Sequence, residues 1–200
     1  MIPSIRLANA LAARIFRLLH ARSFAAFGSN SQIVRPIGIE QPGRIHLGDD
    51  VYVAAQSCLA VQPLDENAAL VIGDGCKLGR FNHIYSTGHV ELGPKVLTAN
   101  GVYISDNLHG YDDPDVPVMD QPLVQKRPTR IGGGSWIGHN ACIVGATLGR
   151  HCVVGANAVV TRDAPDYSVI VGAPGIVIRR YDPDNRTWRA TEPDGSFRAA

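Results

Sequence analysis

The sequence predicts an all-β fold: a parallel β-helix, one solenoid of short strands, with a helical segment before it and one long loop thrown out from it. Three observations predict it. Aliphatic residues recur at a step of six and group in threes: Leu47, Val53, Leu59; Ile72, Leu78, Ile84; Leu92, Thr98, Ile104; Ile131, Ile137, Ile143; Leu148, Val154, Val160. Glycine follows many of these rungs, as at Gly48, Gly73, Gly79, Gly132 and Gly138. The fourth position after a rung is often small, as at Ser57, Cys76, Ser135, Ala141, Cys152 and Ala158. A six-residue period is neither a helical period nor a simple strand alternation. It fits a coil in which each six-residue unit makes one strand and one corner, and three units close one turn of about 18 residues. The rung points inward, and the small residue fits the corner.

Each element follows in order. Residues 1–27 form an N-terminal helical segment that is rich in Ala and Leu and broken by Arg6, Arg14, Arg17 and Arg22. Those arginines interrupt any apolar run long enough to span a bilayer or to serve as a signal peptide. Ile5, Leu7, Leu11, Ile15, Leu18 and Leu19 form an apolar stripe. It is expected to pack against the first coil or a neighbouring subunit, because the open end of a solenoid needs a cap. The alternative role is a weak membrane-surface contact. Residues 28–180 form the solenoid domain. Within it, 61–69 is a short excursion and 105–129 a long extruded loop rich in Asp, Pro, Asn and aromatics, the composition of an ordered functional loop. The step from Ile143 to Leu148 drops to five, which reads as a one-residue deletion at a corner. Residues 181–200 are expected to be a polar C-terminal tail with little fixed structure.

Composition bounds the function. The formal net charge of +1 gives no support to a nucleic-acid footprint. The four cysteines lack zinc spacing and read as reduced, packed thiols of a cytoplasmic protein. No metal is expected.

The segment from Trp136-Ile137-Gly138 to Val160-Thr161-Arg162-Asp163, followed by Gly172-Ala173-Pro174, resembles the end of a hexapeptide-repeat acetyltransferase, nearest to the galactoside and maltose O-acetyltransferases. The loop Ile104-Ser-Asp-Asn-Leu-His-Gly-Tyr resembles that of the polysaccharide O-acetyltransferases. The resemblance covers residues 33–180. It implies a left-handed coil, a homotrimer, acetyl-CoA as co-substrate and a sugar hydroxyl as acceptor. It also implies His109 as general base, with Asn82 on an earlier coil as its catalytic partner. Relatives often carry a second histidine where this chain has Asn107, so His109 is the one candidate base at the loop head. Trp136 would line the pantetheine path, and a backbone N–H near His139 would face the developing oxyanion. Thr161 and Arg162 would approach the nucleotide phosphates, with Arg162 standing where relatives carry Lys, and Ala173 and Pro174 would border the adenine.

The chemistry needs such groups whatever the family. A hydroxyl attacks a thioester poorly while it keeps its proton, and an imidazole titrating near neutrality can take it. The oxygen that gains charge needs a hydrogen-bond donor. Other readings are a different acceptor (an antibiotic, an amino sugar or serine), a β-helix zinc hydratase built on His83, His89 and His109, and a non-catalytic scaffold. The spacing of those three histidines does not match the hydratase pattern.

Overall fold

A computed structural model describes residues 2–198. The coil is a three-sided left-handed parallel β-helix, and each predicted triplet places one rung on each side. The first face stacks Ala26–Phe27, Ile45–Leu47, Ala69–Ile72, His89–Leu92, Thr129–Ile131 and Thr147–Leu148. The second begins with Gln32–Ile33, Tyr52–Val53, Lys77–Leu78, Leu97–Thr98, Trp136–Ile137 and Val153–Val154. The third holds Gly38–Glu40, Cys58–Val61, His83–Ser86, Tyr103–Ser105, Cys142–Val144 and Val159–Val160.

Register follows the rungs. Leu47 pairs with Ile72, Ile72 with Leu92, Leu92 with Ile131 and Ile131 with Leu148. On the third face Leu59, Ile84, Ile104, Ile143 and Val160 stack in the same way. These rungs are buried and form one continuous core. Thr98 is the one polar rung among the predicted triplets, and a buried hydrogen bond from its hydroxyl to Asn82 Oδ1 at 2.7 Å compensates for it. The sequence reading missed an earlier triplet, Phe27, Ile33 and Ile39, which pairs with Leu47, Val53 and Leu59. The coil therefore starts at Ala26, inside the segment assigned to the helix.

One edge of the prism takes every irregularity. From the first face to the second, and from the second to the third, successive rungs are always six apart. Between the third face and the first the chain varies. That edge carries the 3₁₀ turn Pro42–Arg44, the 61–69 excursion, the 105–129 loop and the shortened corner at Gly145, whose positive φ of 61° closes the tight turn.

Both ends of the stack are covered. The helix Pro3–His20 lies over the first coil through Ala13, Phe16 and Arg17. Phe16 and Phe24 meet edge to face, as do Phe24 and Phe27. Arg17 Nη1 donates to the carbonyls of Gly28 and Ser31 at 2.9 and 3.2 Å. The expectation that the aliphatic stripe caps the coil is corrected on one point. Small and aromatic residues on the opposite side make the cap, and Leu7, Leu11, Ile15, Leu18 and Leu19 face outward.

The tail is also corrected. Ser168–Val171 continues the second face, Ile176–Asp182 adds antiparallel to it, and Thr187–Ala190 adds to that. Hydrogen bonds from Asn185 and Arg189 hold the Asp182 carboxyl down to about 2 and lock the connecting turn. Polar composition hid this hairpin, because an added end layer has one face in water.

Candidate active site

His109 sits on the edge where spacing varies. The loop leaves the third face through Asn107–His109, which pairs antiparallel with Leu123–Gln125, so His109 lies opposite Leu123. Gly110 follows, with its N–H on Pro122 O at 2.9 Å. A Cβ at Gly110 would lie 2.8 Å from that oxygen, so the close approach requires glycine. Gln121 closes the tip by donating to the carbonyls of Asp113 and Val116, both at 2.8 Å.

Asp106, which the sequence reading passed over, anchors the loop. It is fully buried and accepts the N–H groups of Thr87, Gly88 and His89 at 2.8, 2.8 and 2.6 Å. Burial alone would raise its carboxyl. The hydrogen bonds from the Thr87 and Gly88 amides, Gln125 and Asn107 outweigh burial and hold it below the usual carboxylate value. Gln125 ties the returning strand to the same point, donating to Asp106 O at 3.0 Å and accepting from Thr87 Oγ1 at 2.6 Å. Asn107 donates to Ser105 Oγ at 2.9 Å and belongs to this anchor. The only sequence signal for Asp106 is its place two residues past a rung, where the chain leaves the coil.

His109 is exposed and lines an open cleft of about 620 Å³ with His83, Tyr85, Tyr103, Asn107 and Met119. The sequence reading weighed His83 as a zinc ligand and set that aside. It lies in register with Tyr103 on the outside of the third face, edge to face with that ring at 5.7 Å. The signal was available in register: Cys58, His83 and Tyr103 each precede a rung and so form one outward column.

Within one chain the structure does not bring Asn82 to His109. Asn82 is buried at the corner between the second and third faces, and its Nδ2 donates to Arg80 O and Ala99 O at 3.2 and 2.9 Å. With Oδ1 accepting from Thr98, the side chain is committed to stapling that corner.

The other predicted residues divide between two edges. Thr161 and Arg162 lie exposed on the same edge as His109, beyond the coils that follow the loop. Arg162 borders a cleft of about 450 Å³ with Asp163, Glu192 and Asp194, and forms no ion pair among the described residues. Arg127, from the returning loop, pairs with Asp163 at 2.9 Å. Trp136 stands on the second face, half exposed, in an outward column with Leu97 and Val153. His139 is exposed on the edge between the second and third faces, and among the described residues its N–H has no protein acceptor. Ala173 and Pro174 lie near that edge, in the turn whose Gly172 and Gly175 bond Val159. Within one chain, His109 and the His139 corner lie at opposite margins of the third face.

No group of three His, Cys, Asp or Glu among the described residues is placed to hold a metal. Burial pushes the Cys76 thiol up to about 11 and raises Cys58, Cys142 and Cys152, so none is a poised thiolate nucleophile.

The comparisons agree with this architecture. A family model described as the hexapeptide repeat of succinyl-transferase matches residues 128–162. A protein of Mycobacterium tuberculosis, provisionally named an acetyltransferase, is 39% identical over 148 residues, or 74% of this chain. The chain spans 45% of that relative's length. A protein of Escherichia coli, provisionally named a lipopolysaccharide biosynthesis O-acetyl transferase, is 28% identical over 81% of this chain and 85% of its own length. Among solved structures, an N-acyltransferase from Bacillus cereus in complex with dTDP and 3-hydroxybutyryl-CoA superposes with a TM-score of 0.71 at 16% identity. That match covers 87% of this chain and 92% of the other, and it speaks for the fold. A hexapeptide-repeat acetyltransferase from Vibrio cholerae gives a TM-score of 0.55 at 25% identity, covering 86% and 82%. The resemblance to hexapeptide-repeat acetyltransferases therefore holds in both sequence and fold.

Proposed function

We propose that this chain is an acetyl-CoA-dependent O-acetyltransferase that acetylates a sugar hydroxyl on a glycan, a polysaccharide precursor or a nucleotide sugar. One observation carries the reading: a single exposed loop imidazole, His109, held over a polar and aromatic cleft by a saturated buried anchor. A group that only filled space would not need that rigidity. Two relatives that match over most of this chain are named for acetyl transfer, the Escherichia coli one for O-acetyl transfer in lipopolysaccharide biosynthesis.

Bound acetyl-CoA would supply the acetyl group as an activated thioester. His109 accepts the acceptor hydroxyl's proton as its oxygen attacks the carbonyl carbon, and returns that proton as the C–S bond breaks. The His139 N–H, which has no protein acceptor among the described residues, would face the oxygen that gains charge. The aromatic wall of Tyr85 and Tyr103 offers a surface for a sugar ring, and His83 offers a polar rim. For the donor, the outward Leu97, Trp136 and Val153 column fits an apolar pantetheine arm, and Arg162 is available for a phosphate. The acidic neighbours of Arg162 temper that contact.

The division between edges supports a homotrimer. His109 of one chain and the His139 corner of another can face each other across a cleft between two prisms, which a single chain cannot arrange. The test is a screen of purified protein with labelled acetyl-CoA against a glycan and nucleotide-sugar panel. Label in an alkali-labile ester on a saccharide is expected. Label found only on amines or on serine would reassign the acceptor, and no transfer to any acceptor would leave the scaffold reading standing.

A further inference from the structure

The helix Pro3–His20 has two unlike sides. One is docked on the coil through Ala13, Phe16 and Arg17. The other carries Leu7, Leu11, Ile15, Leu18 and Leu19, spaced along one helical face, and Leu18 is 88% exposed. Arg14 and Arg22 flank this stripe, and both are exposed. The charge is one-sided. Arg6, Arg14, Arg17, Arg22 and Arg35 all precede Glu40, the first acidic residue, although the whole chain carries only +1. No helix among the described residues is long and apolar enough to cross a membrane.

We propose that this outward side of the helix docks on an anionic lipid bilayer, lying in the plane of the surface. The aliphatic side chains enter the headgroup–acyl boundary, and Arg14 and Arg22 meet lipid phosphates. Charge complementarity selects this occupant. A second copy presenting the same face would set arginines against arginines, with no carboxylate in the segment to answer them. The docked side stays with the coil, so no unfolding is needed to free the stripe. The inference rests on the helix alone and is independent of the acetyl-transfer reading.

The experiment is flotation of the full chain with vesicles of phosphatidylcholine, with and without phosphatidylglycerol, at low and high salt. Binding to the anionic vesicles that weakens with salt is expected. Arg14→Ala with Arg22→Ala should weaken it on the order of tenfold or more, since each basic residue near such a surface contributes about 1 kcal/mol, or about fivefold. Leu11→Glu with Leu18→Glu should abolish it without lowering the melting temperature. Absence of binding, or equal binding to neutral vesicles, would overturn the proposal. So would a change in oligomeric mass for the leucine variant, which would make the stripe a contact between copies.

Discussion

Two edges of this prism never vary, and the third varies at almost every turn. At the fixed edges each rung follows the last by six, and corner backbone bonds corner backbone one coil away: Gly48 N–H on Ile72 O, Gly138 N–H on Val154 O, Asn140 N–H on Asn100 O. At the third edge the chain shortens at Gly145, bulges at 61–69 and leaves altogether at 105–129. The fixed corners are bonded to their neighbours above and below, so extra length there has nowhere to go. At the variable edge extra length leaves the stack and is anchored by side chains. The candidate base sits there because only that edge could accept a loop.

The sharpest way to break this contrast is by insertion. One glycine inserted after His139 shifts every later inward side chain of that coil outward or into the corner, as a one-residue slip does in any sheet. The expected outcome is loss of the soluble folded protein. The same glycine after Asp115, in the loop, should cost only a few tenths of a kcal/mol, since loop-closure entropy grows slowly with length. Two melting curves decide it, and equal damage from both insertions would end the distinction between edges.

Removing the anchor should have the next largest effect. Asp106→Ala strands one buried and two partly buried backbone N–H groups, at about 1–3 kcal/mol for a fully buried one, so a loss of roughly 2–3 kcal/mol is expected, with disorder of the 105–129 loop in hydrogen exchange. The acid limb follows in sign. Asp106 has a lowered folded pKa, so its stabilisation is present above the ordinary carboxylate value and is lost as pH falls through the lowered one. Asp182 adds to the same limb. The difference between wild type and Asp106→Asn during acid titration therefore isolates the loop's share, and identical acid limbs would deny Asp106 that role.

The chemistry should separate cleanly from this scaffold. His109→Ala is expected to reduce kcat on the order of a hundredfold or more, about 2.7 kcal/mol in the barrier, with an unchanged melting temperature because His109 is exposed. Near-wild-type turnover would move the base elsewhere, and His83 across the cleft would be the next residue to test.

How much could be read from the chain follows the same division. The stack was legible because burial writes a period of six into the residues themselves, and all the predicted triplets stack in register. The triplet at Phe27, Ile33 and Ile39 was missed because Phe27 adjoins a helical, Ala-rich run. His109 was singled out through resemblance, and the structure places it on the wall of a cleft. Asp106 was not legible, because a single aspartate in a polar loop looks the same whether it is solvated or accepts three backbone amides. The terminal hairpin and the outward direction of the stripe were missed because composition does not say which side of an element meets its neighbour.

The smallest expected effect concerns Asn82, where resemblance and geometry point in different directions. Thr98→Val keeps the shape of the rung and removes only its hydroxyl. That hydroxyl donates to Asn82 Oδ1 at 2.7 Å and accepts the Gly79 N–H at 3.0 Å. If Asn82 is a staple of a fixed corner, the variant loses about 1–2 kcal/mol in denaturant unfolding, and kcat per folded molecule stays the same. If Asn82 works on substrate, loosening it should lower kcat beyond any change in folded fraction. Burial favours the first outcome: Asn82 is 1% exposed, and its amide hydrogens already meet two carbonyls. A fall in kcat with unfolding midpoints unchanged would return Asn82 to the reaction, on the same fixed edge as the His139 N–H.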